Sequence, residues 1–153
     1  MPKSAIQEYC DFTFEVYKQY GFSDVQAAVI AQVWASPDAI TYMDLAEITG
    51  YSLATISTTV NLLKPFDIIE TQRKPGSKKI YVCQGKDLFD RIQQKIEQTR
   101  RIEIGPLKEQ LPHWIRGAGT KKEKNHLKYI LQQVKVLETI FMDIDEAFEK
   151  RKE

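Results

Sequence analysis

The chain has 153 residues, with 22 Lys and Arg against 21 Asp and Glu and a formal net charge of +1. That length suits one compact domain, or one small module with helical extensions, and a composition that is 42% hydrophobic and 28% charged excludes disorder as the main state. Seven Gly and six Pro are few for the length and favour long helices over many turns, while a net +1 excludes a uniformly basic coat and leaves local patches open.

Ser4 is placed to cap a helix running to about residue 21, with apolar residues in two stripes: Ile6, Cys10, Phe14, Tyr17 and Tyr9, Phe12, Val16, Tyr20. A helix apolar on two faces has two things to pack against, its own domain and a second subunit. Ser23 caps a second helix through Val25, Ala28, Val29 and Val33, and Ser36-Pro37-Asp38 stops it. Ile40-Thr41-Tyr42 is extended. A short helix over 44–49 then carries Leu45 and Ala46 inward with Ile48 alongside, Gly50-Tyr51-Ser52 breaks it, and a helix over 53–64 places Ile56, Val60 and Leu63 at i, i+4, i+7. Two short helices joined by a glycine turn form a helix-turn-helix. Residues 68–73 and 78–83 read as two strands joined by the basic tip Lys74-Pro75-Gly76-Ser77.

The rest reads as helical. A helix over 86–103 carries Phe89, Ile92 and Ile96 on one face, Gly105-Pro106 breaks it, a shorter helix covers 107–116, and Gly117-Ala118-Gly119 is a hinge. The last helix, over about 121–152, sets Leu127, Ile130, Val134, Leu137, Phe141, Ile144 and Phe148 at 3,4 spacing, with every a and d position of the heptad frame apolar. It would be roughly 45 Å long, more than a small domain needs for its own core.

Residues 52–61 hold six Ser, Thr or Asn, a poor recipe for a helix. Such side chains bond phosphate oxygens and base edges, and Asn can pair bidentately with adenine. With Ile56, Val60 and Leu63 turned inward, the opposite face offers Ala54, Thr55, Ser57, Thr58 and Asn61, flanked by Ser52 and Lys64, and residues 48–66 contain no carboxylate to repel phosphate. No arginine for guanine lies on this helix. From Lys64 to Lys86 six basic residues face two acidic ones, a net +4, whereas residues 1–40 hold two basic and five acidic, a net −3. The positive end, with Arg73, Lys74, Ser77, Lys78 and Lys79, therefore sits on the hairpin beside the Ser/Thr helix, where it can bond phosphates or enter the minor groove.

Taken together, Thr41-Tyr42-Met43-Asp44-Leu45-Ala46-Glu47-Ile48-Thr49-Gly50-Tyr51-Ser52, Thr55-Ile56-Ser57, Leu62-Leu63-Lys64, Ile68-Ile69 and the Lys/Arg-Gly-Lys hairpin resemble the winged helix-turn-helix of the MarR superfamily. Arg100-Arg101-Ile102-Glu103 and Gly105-Pro106-Leu107 resemble the linker of its GbsR branch. The resemblance implies a fold that is mainly α with a small β-hairpin, a winged helix-turn-helix with N- and C-terminal dimerisation helices. It implies a cytoplasmic homodimer that binds double-stranded DNA and regulates transcription, with a recognition helix in the major groove, a wing on the backbone or minor groove and, as in many members, a small-molecule effector. On that basis residues 1–22 are an N-terminal dimerisation helix, 23–86 the DNA-binding domain and 87–153 a helical linker with C-terminal dimerisation helices. Tyr9, Phe12 and Val16 with the heptad residues Leu127, Ile130, Val134, Leu137, Phe141, Ile144 and Phe148 would form the interface. Where the family has Gly before the first wing strand, this chain has Pro65-Phe66-Asp67; Asp tolerates the left-handed conformation needed there. The alternative is a winged helix serving as a protein-interaction adaptor in a transcription or repair assembly, although such a wing has no need of four cations around a Gly turn.

Other constellations point elsewhere than to chemistry. Cys10 and Cys83 are too isolated for a disulfide framework and read as buried apolar side chains. His113 and His126 have no acidic or Cys partner at ligand spacing, so no metal is expected. Gly117-Ala118-Gly119-Thr120-Lys121-Lys122 follows a helix and not a strand, unlike a phosphate loop. Trp34 and Trp114 read as packing residues in preference to a quaternary-ammonium cage, and Arg100, Arg101, Arg116, Lys121, Lys122, Lys124 and Lys128 as a solvated face. No Ser-His-Asp or paired-carboxylate signature is present, so neither an enzyme nor a cofactor is expected. The N-terminus lacks the basic start and apolar run of a signal peptide. The longest uncharged stretch, residues 48–63, is 16 long and too polar to span a bilayer.

Overall fold

In the computed structural model, which describes residues 1–153, Ser4 and Ser23 open the first two helices, α1 (Ala5–Gln19) and α2 (Asp24–Ala35). Each makes a reciprocal cap. The Ser4 hydroxyl accepts the Gln7 N–H at 3.3 Å while the Gln7 side chain takes the Ser4 N–H at 2.9 Å, and Ser23 and Gln26 repeat the pattern. The chain folds as two units, Met1–Asp87 and Leu88–Glu153, each with its own apolar core.

In the first unit α2 is buried on most sides through Ala27, Val29, Ile30, Ala31 and Val33. α1 lies against it with Tyr17 and Thr13 buried and Phe14 and Val16 partly covered, but Ile6, Tyr9, Phe12 and Tyr20 stay exposed. β1 (Ile40–Thr41) leads into α3 (Tyr42–Thr49). Thr41 is the cap of α3, bonded reciprocally to Asp44, so this helix begins two residues before the expected start. Leu45 is fully buried, whereas Ile48, expected alongside it, is 57% exposed. At 100° per residue Ala46 and Ile48 diverge to opposite sides of Leu45, and the core covers the Ala46 side. Gly50, at φ +78°, ends α3, and α4 (Leu53–Leu63) follows with Ile56, Val60 and Leu63 fully buried.

A 3-10 turn, Lys64–Phe66, ends in Asp67 at φ +57°, so aspartate does take the left-handed position before the hairpin. β2 (Ile69–Arg73) and β3 (Ile80–Gln84) form the hairpin, and β1 joins the far edge of β3, giving an antiparallel sheet of order β1-β3-β2. The register pairs Ile69 with Gln84, Arg73 with Ile80, and Ile40 with Val82. Gly85 closes the sheet against the turn. A Cβ there would meet the Asp67 carbonyl oxygen at 2.3 Å, while the Gly85 and Lys86 N–H groups donate to Ile68 and Asp67 at 3.0 Å.

The second unit comprises α5 (Leu88–Thr99), α6 (Gly105–Gly117) and α7 (Lys121–Arg151). Gly105-Pro106 does not break the helix there. A π turn, Arg100–Ile104, carries α5 into α6, with the Gly105 N–H donating to the Arg100 carbonyl. Pro106 lacks the N–H that a regular turn would require at that position, and the helix widens by one residue instead of stopping. Ile104, Leu111 and Val134 form the buried centre, ringed by Leu107, Leu127, Ile130, Leu131, Leu137 and Phe141. Arg100 bonds Glu97 at 2.7 Å and Asp145 at 2.8 Å, its guanidinium 4.6 Å from the Phe141 ring centre. No helix is long and apolar enough to cross a membrane.

Candidate nucleic-acid interface

α4 exists despite its composition because its hydroxyls serve the helix. The Ser52 hydroxyl accepts the Thr55 N–H at 3.1 Å and donates to Thr55 Oγ1 at 2.8 Å, and the Thr59 hydroxyl donates back to the Thr55 carbonyl at 2.7 Å. Thr59 is thereby buried without an orphaned hydroxyl. Of the expected recognition residues, Ser52 and Thr55 are thus committed to the cap. Ala54, Thr58, Asn61 and Lys64 are exposed and Ser57 is half-buried at the edge of a groove. Leu53 and Leu62, absent from the expected set, are 51% and 56% exposed on either flank of this face. Leu53 had no distinguishing signal, since it lies seven residues before Val60 and falls in the same row as the core residues. Leu62 was legible, standing about 100° from Leu63.

The hairpin tip is a tight turn. The Ser77 N–H donates to the Lys74 carbonyl at 3.1 Å, with Pro75 second and Gly76, at φ +76°, third, the pattern of a type II turn. The Ser77 hydroxyl accepts the Lys79 N–H at 3.1 Å, so it shapes the tip. Lys74 Nζ lies 4.3 Å from the Tyr81 ring centre, a cation–π contact that steadies it. Arg73, Lys78 and Lys79 are exposed and unpaired with any carboxylate, whereas Lys86 lies 3.5 Å from Asp67.

Two hollows join α4 to the hairpin. One, of about 950 Å³, brings Ala54, Ser57 and Leu53 together with Lys78 and Lys79, and Met43, Asp44 and Glu47 of α3 also line it. The other, of about 310 Å³, gathers Asn61 and Lys64 with Thr71, Gln72 and Arg73. Ala54, Ser57, Asn61 and Lys64 thus lie beside Arg73, Lys78 and Lys79 within one unit, whereas Thr58, Lys74 and Ser77 line neither hollow; α4 itself carries no charge.

Among solved structures the chain is similar to a transcriptional regulator at 16% identity and a TM-score of 0.61, over 97% of this chain and 99% of that one. The fold is a winged helix-turn-helix, mainly α, with helices at both ends. Weaker likenesses are to the transcriptional regulator SlyA, 13% identical with a TM-score of 0.42 over 94% of this chain and 90% of that one, and to MepR, a transcription regulator of the Staphylococcus aureus multidrug efflux pump MepA, 13% identical with a TM-score of 0.44 over 88% and 91%. No family model and no curated protein matches the chain.

Elsewhere the candidate residues fall as follows. Tyr9 and Phe12 are exposed on α1, and Val16 is half-buried against the first core. On α7, Val134 is buried and Leu127, Ile130, Leu137 and Phe141 pack about Ile104 and Leu111 of the same unit, while Ile144 and Phe148 are half-buried. A second row that sequence reading missed, Tyr129, Val136 and Ile140, lies exposed on another side of α7. His113 and His126 are exposed, and no three His, Cys, Asp or Glu side chains are grouped to hold a metal ion. The Gly119 and Thr120 N–H groups donate to the Glu123 carboxylate at 3.0 and 3.3 Å, so the amides a phosphate would need are occupied. Trp34 Nε1 donates to the Ile68 carbonyl at 3.1 Å, a packing role. Cys10 and Cys83, expected buried, are half-buried, and desolvation pushes both thiol pKa values up, aided by Asp11 and Glu70 respectively.

Proposed function

We propose that this chain is a homodimeric regulator of transcription of the MarR-superfamily type, with α4 in the major groove of double-stranded DNA and the hairpin on the backbone or minor groove. The observation that carries the reading is the junction of the uncharged outward face of α4 with the unpaired cations Arg73, Lys78 and Lys79. An anionic duplex is attracted to such cations, and a helix free of carboxylates can enter its groove without repulsion. The GbsR branch belongs to the same reading through the resemblance of residues 100–107, and a small-molecule effector through the resemblance to the superfamily. The exposed residues of α1 and α7 support self-association, with two recognition helices about 34 Å apart on a pseudo-palindrome.

The test is fluorescence titration of labelled duplex at several salt concentrations, comparing the natural chain with the double variant Lys78→Glu, Lys79→Glu. Both residues are exposed and carry no fold-defining side-chain contact, so circular dichroism should be unchanged. The variant is expected to bind at least tenfold more weakly, with a salt slope shallower by about four, since each of the two wings of a dimer loses two cations. Unchanged affinity and slope would rule out direct DNA binding through the wing.

A further inference from the structure

We propose that the half-site facing α4 is read as A·T pairs, with Asn61 contacting adenine and the methyl groups of Ala54 and Thr58 contacting thymine. This rests on the DNA-binding reading above and names the sequence class that the site takes.

The outward line of α4 is Ala54, Ser57, Thr58 and Asn61, since Ile56, Thr59, Val60 and Leu63 are buried and the Ser52 and Thr55 hydroxyls are engaged at the cap. No residue of α4 is charged, and none is Gln or His. Guanine is read in the major groove by two donors from Arg or Lys, and cytosine N4 by a carboxylate. The helix supplies neither. Lys64, one residue beyond α4, shares a hollow with both Asn61 and Arg73, but it stands about 60° from Asn61 around the helix axis, toward the Leu53 flank that borders Lys78 and Lys79, the side suited to phosphate. What remains on the outward line is one amide, which offers adenine N7 a donor and N6 an acceptor, the Ser57 and Thr58 hydroxyls, which bond any base and so do not discriminate, and methyls of the size that pack on the thymine C5-methyl. Leu53 and Leu62 border this line as exposed apolar side chains, extending the surface that thymine methyls and sugars can cover.

The test selects bound duplexes from a random pool with the full chain, then replaces bases in the selected site. A·T pairs are expected at the positions facing α4. Uracil for thymine, which removes the methyl, and 7-deazaadenine for adenine, which removes N7, should each weaken binding by up to about tenfold. The exposed substitution Asn61→Ala should abolish the response to 7-deazaadenine while leaving the salt slope unchanged. Selection of G·C pairs at those positions, or indifference of the natural chain to both base changes, overturns the proposal. Binding without sequence preference but with a normal salt slope overturns this readout and leaves DNA binding standing; absence of binding overturns both.

Discussion

Gly85 shows how a single position holds the hairpin to the helix pair. The Asp67 carbonyl approaches to where a Cβ would sit, so Gly85→Ala must move backbone and is expected to cost on the order of 1–3 kcal/mol in urea unfolding. Gly117 has nothing within 4 Å of a Cβ, and Gly117→Ala is the contrasting case, expected to be neutral or stabilising by about 0.4–1 kcal/mol. Leu45, fully buried between helices, marks the first unit's core, and Leu45→Ala should cost about 2–5 kcal/mol by the same measurement. The two thiols offer a reactivity check. Burial raises both pKa values, which lowers the thiolate fraction at neutral pH, so iodoacetamide should alkylate Cys10 and Cys83 more slowly than free cysteine, with the rate rising at higher pH. The matching stability contribution is present below the ordinary thiol pKa and is lost as pH rises through the raised folded value.

At the scale of the element, α4 joins poor helix propensity to a fixed conformation. Its buried row anchors it, and the Ser52 cap and the Thr59 back-bond absorb hydroxyls that would otherwise compete with the backbone. Ser52→Ala should lose about 1 kcal/mol of stability in urea unfolding, and Ser52→Asp should retain it, because Asp also caps. Equal stability of the alanine and aspartate variants would show that the cap is idle. The π turn teaches a different lesson. Gly and Pro in succession ordinarily mark an end, but the buried face at Ile104 continues beyond them through Leu107 and Leu111, and packing against α7 outweighs the one missing backbone donor.

For the whole molecule, charge and apolar surface are both arranged unevenly. The near-zero net charge conceals a hairpin region at +4 and an N-terminal part at −3. Phe12 at 66%, Val136 at 55% and Tyr129 at 58% exposure are large apolar side chains left in water within one chain, which favours the proposed self-association. Sedimentation at micromolar concentration should report a dimer, and the exposed double substitution Phe12→Asp, Val136→Asp should shift it toward monomer. A natural chain that sediments as a monomer would remove the homodimer from the reading.

The sequence by itself determined the helix-turn-helix and the hairpin, because caps, turns and apolar periods are local and each is written in a few adjacent residues, while the left-handed Asp67 was expected only through the resemblance to a family with Gly at that place. It also showed that cations and hydroxyls cluster between residues 52 and 86. Only the tertiary structure decided which hydroxyls were consumed by the cap, which leucines of α4 remained in water, that Ile40–Thr41 extends the sheet, and that the helix runs on through Gly105-Pro106. Those outcomes depend on what lies opposite each side chain, and sequence spacing specifies direction around a helix without specifying whether another element is there to cover it.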